Sequence, residues 1–141
     1  MESRKLDFKI IEHMADLGIL VYCQDLKGLF TEAAQAMMQI MIKSPCSTIK
    51  GTSTKVTIEG GDLSDLMVSW LGGILYLFAD EKEVAINITT ISISYIKATL
   101  KAISFDPAFH EVLYKIKAVS CYQIQVIKNT DKWEARVIFN L

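Results

Sequence analysis

Proline is scarce in this chain: Pro45 and Pro107 are the two among 141 residues. Long stretches are therefore free of the residue that breaks helices and ladders. Cysteine is scarce too, and odd in number. Cys23, Cys46 and Cys121 lie far apart, with no Cys-x-x-Cys or Cys/His grouping. That excludes a disulfide framework or a zinc cluster as the organiser of the fold and suits reduced thiols in a cytoplasmic protein. An excess of one charge is missing: 15 basic residues face 16 acidic ones, for a formal net charge of −1. No global basic field exists to hold a polynucleotide. A long hydrophobic run is missing as well. The most apolar stretch, Leu66 to Ala79, has 14 residues; it is too short to span a bilayer and reads as a buried core helix. The opening MESRKLDFKII lacks the apolar segment of a secretory signal. Gly60–Gly61 and Gly72–Gly73 lack the spacing of a phosphate-binding loop, there is no Gly-x-Ser-x-Gly, and no histidine is paired with a credible nucleophile. Recognisable enzyme motifs are therefore absent, which lowers the expectation of a catalyst without excluding one.

What is present is ordinary globular material at its apolar end, 51% hydrophobic and 22% charged, which excludes intrinsic disorder. The length is that of one domain, 1–141, able to bury roughly 68–70% of its unfolded surface. Strand patterns fall at Phe8–Ile11, Leu17–Cys23, Thr54–Ile58, Ile86–Ile93 and Ile96–Phe105. In the fourth of these the alternation slips at Thr89–Thr90, which predicts a bulge or bend. Lys115 and Lys117 read as one strand face opposite Ile116 and Ala118. Ser120–Ile127 and Trp133–Phe139 form a hairpin joined through Lys-Asn-Thr-Asp. Two helices interrupt the strands. Asp25 is placed to cap Leu26–Lys43, whose Leu29, Phe30, Ala33, Ala34, Met37, Met38 and Met41 recur as one buried stripe. The methionines read as core filler. Asp62 caps a second helix reaching about Asp80, with Leu66, Trp70, Ile74, Leu77 and Phe78 as its core face and Asp65 in its first turn. The order is not alternating βα. It predicts an α+β domain with two helices packed against mainly antiparallel β-sheet.

Two features stand apart. Glu12-His13-Met14-Ala15-Asp16 is a charged segment between two apolar strands. Glu12 and Asp16 could offer hard oxygen ligands and His13 a nitrogen, although a polar turn is the plainer reading. The second is Phe139-Asn140-Leu141, where a strand runs almost to the last residue rather than into a polar tail.

Glu12-His13-Met14-Ala15-Asp16-Leu17-Gly18, Gly61-Asp62-Leu63, Leu75-Tyr76-Leu77-Phe78, Phe105-Asp106-Pro107 with His110, Lys117-Ala118-Val119, and Trp133 through Ile138-Phe139-Asn140-Leu141 together resemble the archease family. The resemblance extends from about Phe8 to Leu141. It implies a cytoplasmic accessory protein of the GTP- and manganese-dependent RNA ligase that joins RNA 3'-phosphate and 5'-hydroxyl ends in tRNA splicing and RNA repair. The accessory role is to promote guanylylation of the ligase and its multiple turnover. RNA would then be contacted through the ligase, and no membrane is involved. The resemblance also implies a divalent-cation site, calcium before manganese or magnesium, with Asp16, Asn140 and the terminal carboxylate of Leu141 as ligands. Glu12 and His13 become candidate partner contacts.

Three positions depart from the family pattern. Asn140 stands where Asp is usual, which removes one negative charge and implies weaker cation binding. Gly72–Gly73 replace an Asn-Glu pair and cost about 1 kcal/mol each relative to Ala unless close packing explains them. Ser120-Cys121-Tyr122 replaces Thr-Tyr-His. The alternative is a metal-independent, chaperone-like or protein-binding module on the same scaffold that has lost ligase activation. A third reading is direct RNA binding by a lysine face of Lys97, Lys101, Lys115 and Lys117.

Overall fold

The computed structural model describes residues 8–13, 16–43, 52–78, 82–92, 94–104, 111–112 and 115–141. In chain order the elements are β1 (Phe8–His13), β2 (Asp16–Cys23), α1 (Leu26–Met41), β3 (Ile42–Lys43), β4 (Thr52–Glu59), α2 (Leu63–Phe78), β5 (Lys82–Ile91), β6 (Tyr95–Ser104), β7 (Glu111–Val112), β8 (Ala118–Lys128) and β9 (Trp133–Asn140). The strands form a four-stranded sheet in the order β1-β2-β9-β8, a three-stranded sheet in the order β4-β6-β5 and the short pair β3-β7. Every pairing is antiparallel. The α+β expectation holds.

Both helices begin where their caps predict. Asp25 Oδ1 accepts a hydrogen bond from the Gly28 amide, and Asp62 Oδ1 accepts one from Asp65 N at 2.8 Å. Each satisfies an amide that has no partner inside the helix. The α1 stripe is buried as expected, with Met37, Met38 and Met41 inside it. The helix ends at Met41 rather than Lys43, because Ile42 and Lys43 pair with Val112 and Glu111. A β-branched residue and a nearby Pro45, which disfavours helical backbone before it, both suit that switch. In α2, Leu66, Trp70 and Ile74 are fully buried. The expected core residues Leu77 and Phe78 have side chains outside those described, as does the helix end near Asp80.

The helices touch both larger sheets. α1 packs on β2, β5 and β9, while α2 packs on β8, β4, β5 and β6. Trp70 Nε1 donates to the Phe30 carbonyl at 2.9 Å and ties one helix to the other inside the core. A buried ring of this size needs such a partner for its N–H. Leu17, Ile19 and Val21 of β2 and Ala135, Val137 and Phe139 of β9 supply the inner face of the four-stranded sheet. By alternation, Asp16, Gly18, Leu20 and Tyr22, with Glu134, Arg136, Ile138 and Asn140, form its outer face.

The bulge anticipated near Thr89–Thr90 is present as a register shift between Ile88 and Thr90. A larger one was not anticipated. Ser120 stands opposite Ile138 and Gln125 opposite Arg136, so residues 121–124 of β8 face Val137 alone. Lys115–Lys117 is not strand but the irregular approach to β8; Ile116 is buried, whereas Ala118 is exposed beside the two lysines.

Candidate functional site

The expected polar connection from Glu12 to Asp16 is shorter than the sequence suggested. Glu12 and His13 end β1 and Asp16 begins β2, with Glu12 opposite Leu17 and His13 opposite Asp16. The apolar alternation of the two strands carries the pairing as far as His13 and Asp16. Met14 and Ala15, and the side chains of Glu12 and His13, lie outside the described residues.

The far end of the chain arrives at the same place. Asp16 is the register partner of Asn140 on β9, and Asn140 is in turn the partner of Ala118 on β8. One row thus crosses all four strands as His13, Asp16, Asn140 and Ala118. Directly opposed residues in antiparallel strands have their Cβ atoms about 4.5–5.5 Å apart, which brings short side chains into reach. Asn140 Nδ2 donates a hydrogen bond to Asp16 Oδ1 at 3.2 Å between two half-buried side chains. Lys117 N donates to the Asn140 carbonyl at 2.8 Å, so exposed Lys117 is fixed beside the pair. Leu141 is half-buried and packs against the core. Two of the three expected ligand residues, 124 positions apart, are therefore in contact, with the third adjacent in sequence.

Chemically, the pair is one carboxylate and one amide. Among the described residues no group of three or more His, Cys, Asp and Glu is gathered. Hard-cation chemistry is still open to this oxygen set, at a cost. The amide presents its NH2 end to Asp16, and a half-turn about the side-chain bond would present the oxygen instead, with loss of that hydrogen bond. With Asp at 140, two carboxylates would face each other and a cation would relieve their repulsion. With Asn140 the pair satisfies itself. As an oxygen set the pair would offer a divalent cation one negative charge and one neutral oxygen, one charge fewer than a pair of carboxylates.

The remaining candidates separate. Lys97 and Lys101 belong to β6 of the three-stranded sheet, whereas Lys115 and Lys117 precede β8 of the four-stranded sheet; they are not neighbours on one strand face, because the last two are not in a strand. At Gly73 an added Cβ would meet Ile58 Cδ1 at 3.4 Å, which is close packing. At Gly72 it would meet nothing within 4 Å among the described residues, so packing against these does not account for that glycine. One turn on, Tyr76 is 79% exposed. The side chain of Tyr122 and the whole of Phe105–His110 lie outside the described residues. Cys23 and Cys121 are free thiols, and no helix of the described residues is long and apolar enough to cross a membrane.

Fold and site together define a small α+β protein whose second and last strands pair to present a polar row at one end of a sheet. The model of the Archease protein family matches residues 8–141. The chain belongs to that family. It is 31% identical over 148 aligned residues to Protein archease of Methanosarcina acetivorans, with all of both chains covered. The solution structure of Methanobacterium thermoautotrophicum protein 1598 superposes with a TM-score of 0.75 at 24% identity, covering 96% of this chain and 99% of the other. The crystal structure of an archease from Thermotoga maritima, described as a possible chaperone, superposes with a TM-score of 0.69 at 16% identity, covering 100% and 99%. These two likenesses establish the fold. None of the three relatives is named as an enzyme.

Proposed function

We propose that this chain is an accessory protein of a GTP- and manganese-dependent RNA ligase that joins 3'-phosphate and 5'-hydroxyl ends, and that it acts in the cytoplasm. It promotes ligase guanylylation and multiple turnover, and it meets RNA through the ligase. The observation that carries the reading is convergence. The segments 12–18, 117–119 and 133–141, which carry the family resemblance, lie far apart in sequence and meet at the Asp16–Asn140 row. Asp16, Asn140 and Leu141 hold a divalent cation there, calcium before manganese or magnesium, and hold it weakly. The cation would supply positive charge to orient an anionic partner group. The chain's own contribution is Asp16 as the charged ligand, Asn140 as a neutral one and Lys117 as a fixed neighbour. His13 stands in this row and Glu12 in the next, and both contact the partner.

A multiple-turnover ligation assay tests this, using the ligase of the same source, GTP and manganese. Added protein should raise the number of joins per ligase, and Asp16→Ala should abolish the gain. Folded protein that gives no gain would overturn the reading.

The Asn140–Asp16 hydrogen bond favours one second reading, a metal-independent binding module on the archease scaffold. The pair needs no cation to be satisfied. Thermal melts with calcium, manganese or EDTA separate the two, since a ligand of the folded state alone raises the midpoint. A rise that Asp16→Ala removes supports the cation site; identical midpoints support the module.

A further inference from the structure

Of the 15 basic residues, only Arg4 and Arg136 are arginines. Arg136 lies on β9, half-buried on the outer face of the four-stranded sheet. Its register neighbours are Leu20 on β2 and Gln125 on β8, and neither carries charge. Its Nε is buried and has no hydrogen-bond partner among the described residues. Its Nη2 reaches Gln123 Oε1 at 3.5 Å, beyond the ordinary span of about 2.7–3.2 Å for an N–H···O bond. Nε–H and Nη2–H share one edge of the guanidinium plane. That edge takes both oxygens of a carboxylate in parallel, a geometry no lysine can offer. Here one donor is empty and the other is loosely held.

The β8 bulge is built over this spot. Residues 121–124 face a single residue of β9, and Gln123 has φ 57°. A non-glycine residue in the left-handed region is uncommon, and bulges with such residues serve to re-aim a side chain. Gln123 is thereby aimed at Arg136, where its neutral oxygen occupies the position of one carboxylate oxygen.

We propose that Arg136 is a docking point for a single Asp or Glu side chain of a protein partner, received on Nε and Nη2 as Gln123 swings aside. The surroundings favour a carboxylate over a polynucleotide. A phosphate backbone brings charges in series and needs several cations. The next cation on this row, Lys9, is two strands away on β1, while Glu134 and Asp16 lie on the same face. Leu20 is half-buried and Ile138 is 4% exposed, an apolar flank that suits a single desolvated ion pair at a protein interface. The site is four residues along β9 from Asn140 and does not depend on a cation there.

Two arginines make the test direct. Arginine-selective 15N labelling of the full chain yields two Nε–H signals, with Arg4 as internal control and Arg136→Lys to assign them. The carboxylate probe is N-acetylglutamate N-methylamide; the competitors are inorganic phosphate and decauridylate. The Arg136 signal should shift saturably with the carboxylate while the Arg4 signal does not. Gln123→Glu, which supplies the carboxylate within the chain, should move the Arg136 signal to the saturated position before any addition and abolish the titration. Gln123→Ala should lower the half-saturating concentration several-fold. A shift that is linear and equal for both arginines would overturn the proposal. So would saturation by phosphate or decauridylate at lower concentration than by the carboxylate, or an unmoved Arg136 signal in folded Gln123→Glu.

Discussion

The four-stranded sheet joins the first strands of the chain to the last, whereas the three-stranded sheet is assembled from residues 52–104 alone. Their pairing is equally antiparallel, but their outer faces differ. The local sheet exposes Lys55, Thr57 and Lys97, a solvated surface on which Lys97 Nζ rests 5.8 Å from the Tyr95 ring centre. The non-local sheet carries half-buried Asp16, Asn140 and Arg136 and buries Ile138 outside the main core. Strands distant in sequence must meet at the cost of closing a long loop, and here that closure assembles the polar row. The candidate site of this chain thus lies on the sheet that only the completed fold can form.

Core truncations on the two sheets should break the comparison most severely. Phe139→Ala removes a fully buried ring from β9, the strand that pairs with both β2 and β8. It should cost about 3–5 kcal/mol in urea unfolding and disturb the Asp16–Asn140 contact. Ile96→Ala on β6, also fully buried, should cost about 2–5 kcal/mol yet leave the NMR signals of Asp16 and Asn140 in place. Equal disturbance of that row by both variants would erase the distinction between the sheets.

Asn140→Asp probes the row itself. It sets two carboxylates on opposed positions, and like charges there are destabilising. Its melting midpoint should fall in EDTA, and calcium should raise it more than it raises that of the unaltered chain. A variant insensitive to calcium would argue against cation binding at this row. Gly72→Ala should stabilise the chain by about 0.5–1 kcal/mol, since it removes helix-interior glycine entropy and its Cβ meets none of the described residues within 4 Å. Gly73→Ala should gain less, because Ile58 Cδ1 must yield. The smallest effect belongs to the solvated face: Lys55→Thr should leave the unfolding free energy within about 0.5 kcal/mol.

Much of the architecture was legible residue by residue. Asp25 and Asp62 with the stripes behind them specify both helix starts, since caps and 3.6-residue periodicity are local. The alternation in Thr54–Ile58 and Ile96–Phe105 marks β4 and β6 for the same reason, and the slip at Thr89–Thr90 marks the bulge in β5. The ends of elements were less legible. α1 stops at Met41 because β7, about 70 residues on, pairs with Ile42 and Lys43. Ile138 alternates as a solvent-facing residue and is nevertheless buried.

The two halves of the candidate site stood out separately in the sequence, and their union was legible only through resemblance. Asp16 and Asn140 carry no pattern that links them, and nothing in the alternation of Ser120–Ile127 announces four residues opposite one. By itself the sequence determined the α+β class, the helix caps, the apolar stripes and most strand positions, because each depends on neighbours within one or two turns. Only the tertiary structure decided that Asp16 meets Asn140, that Lys117 is fixed beside them and that Gln123 lies against Arg136. Those contacts depend on the register between strands more than a hundred residues apart or on a bulge defined by its partner strand, and register is a property of the assembled sheet.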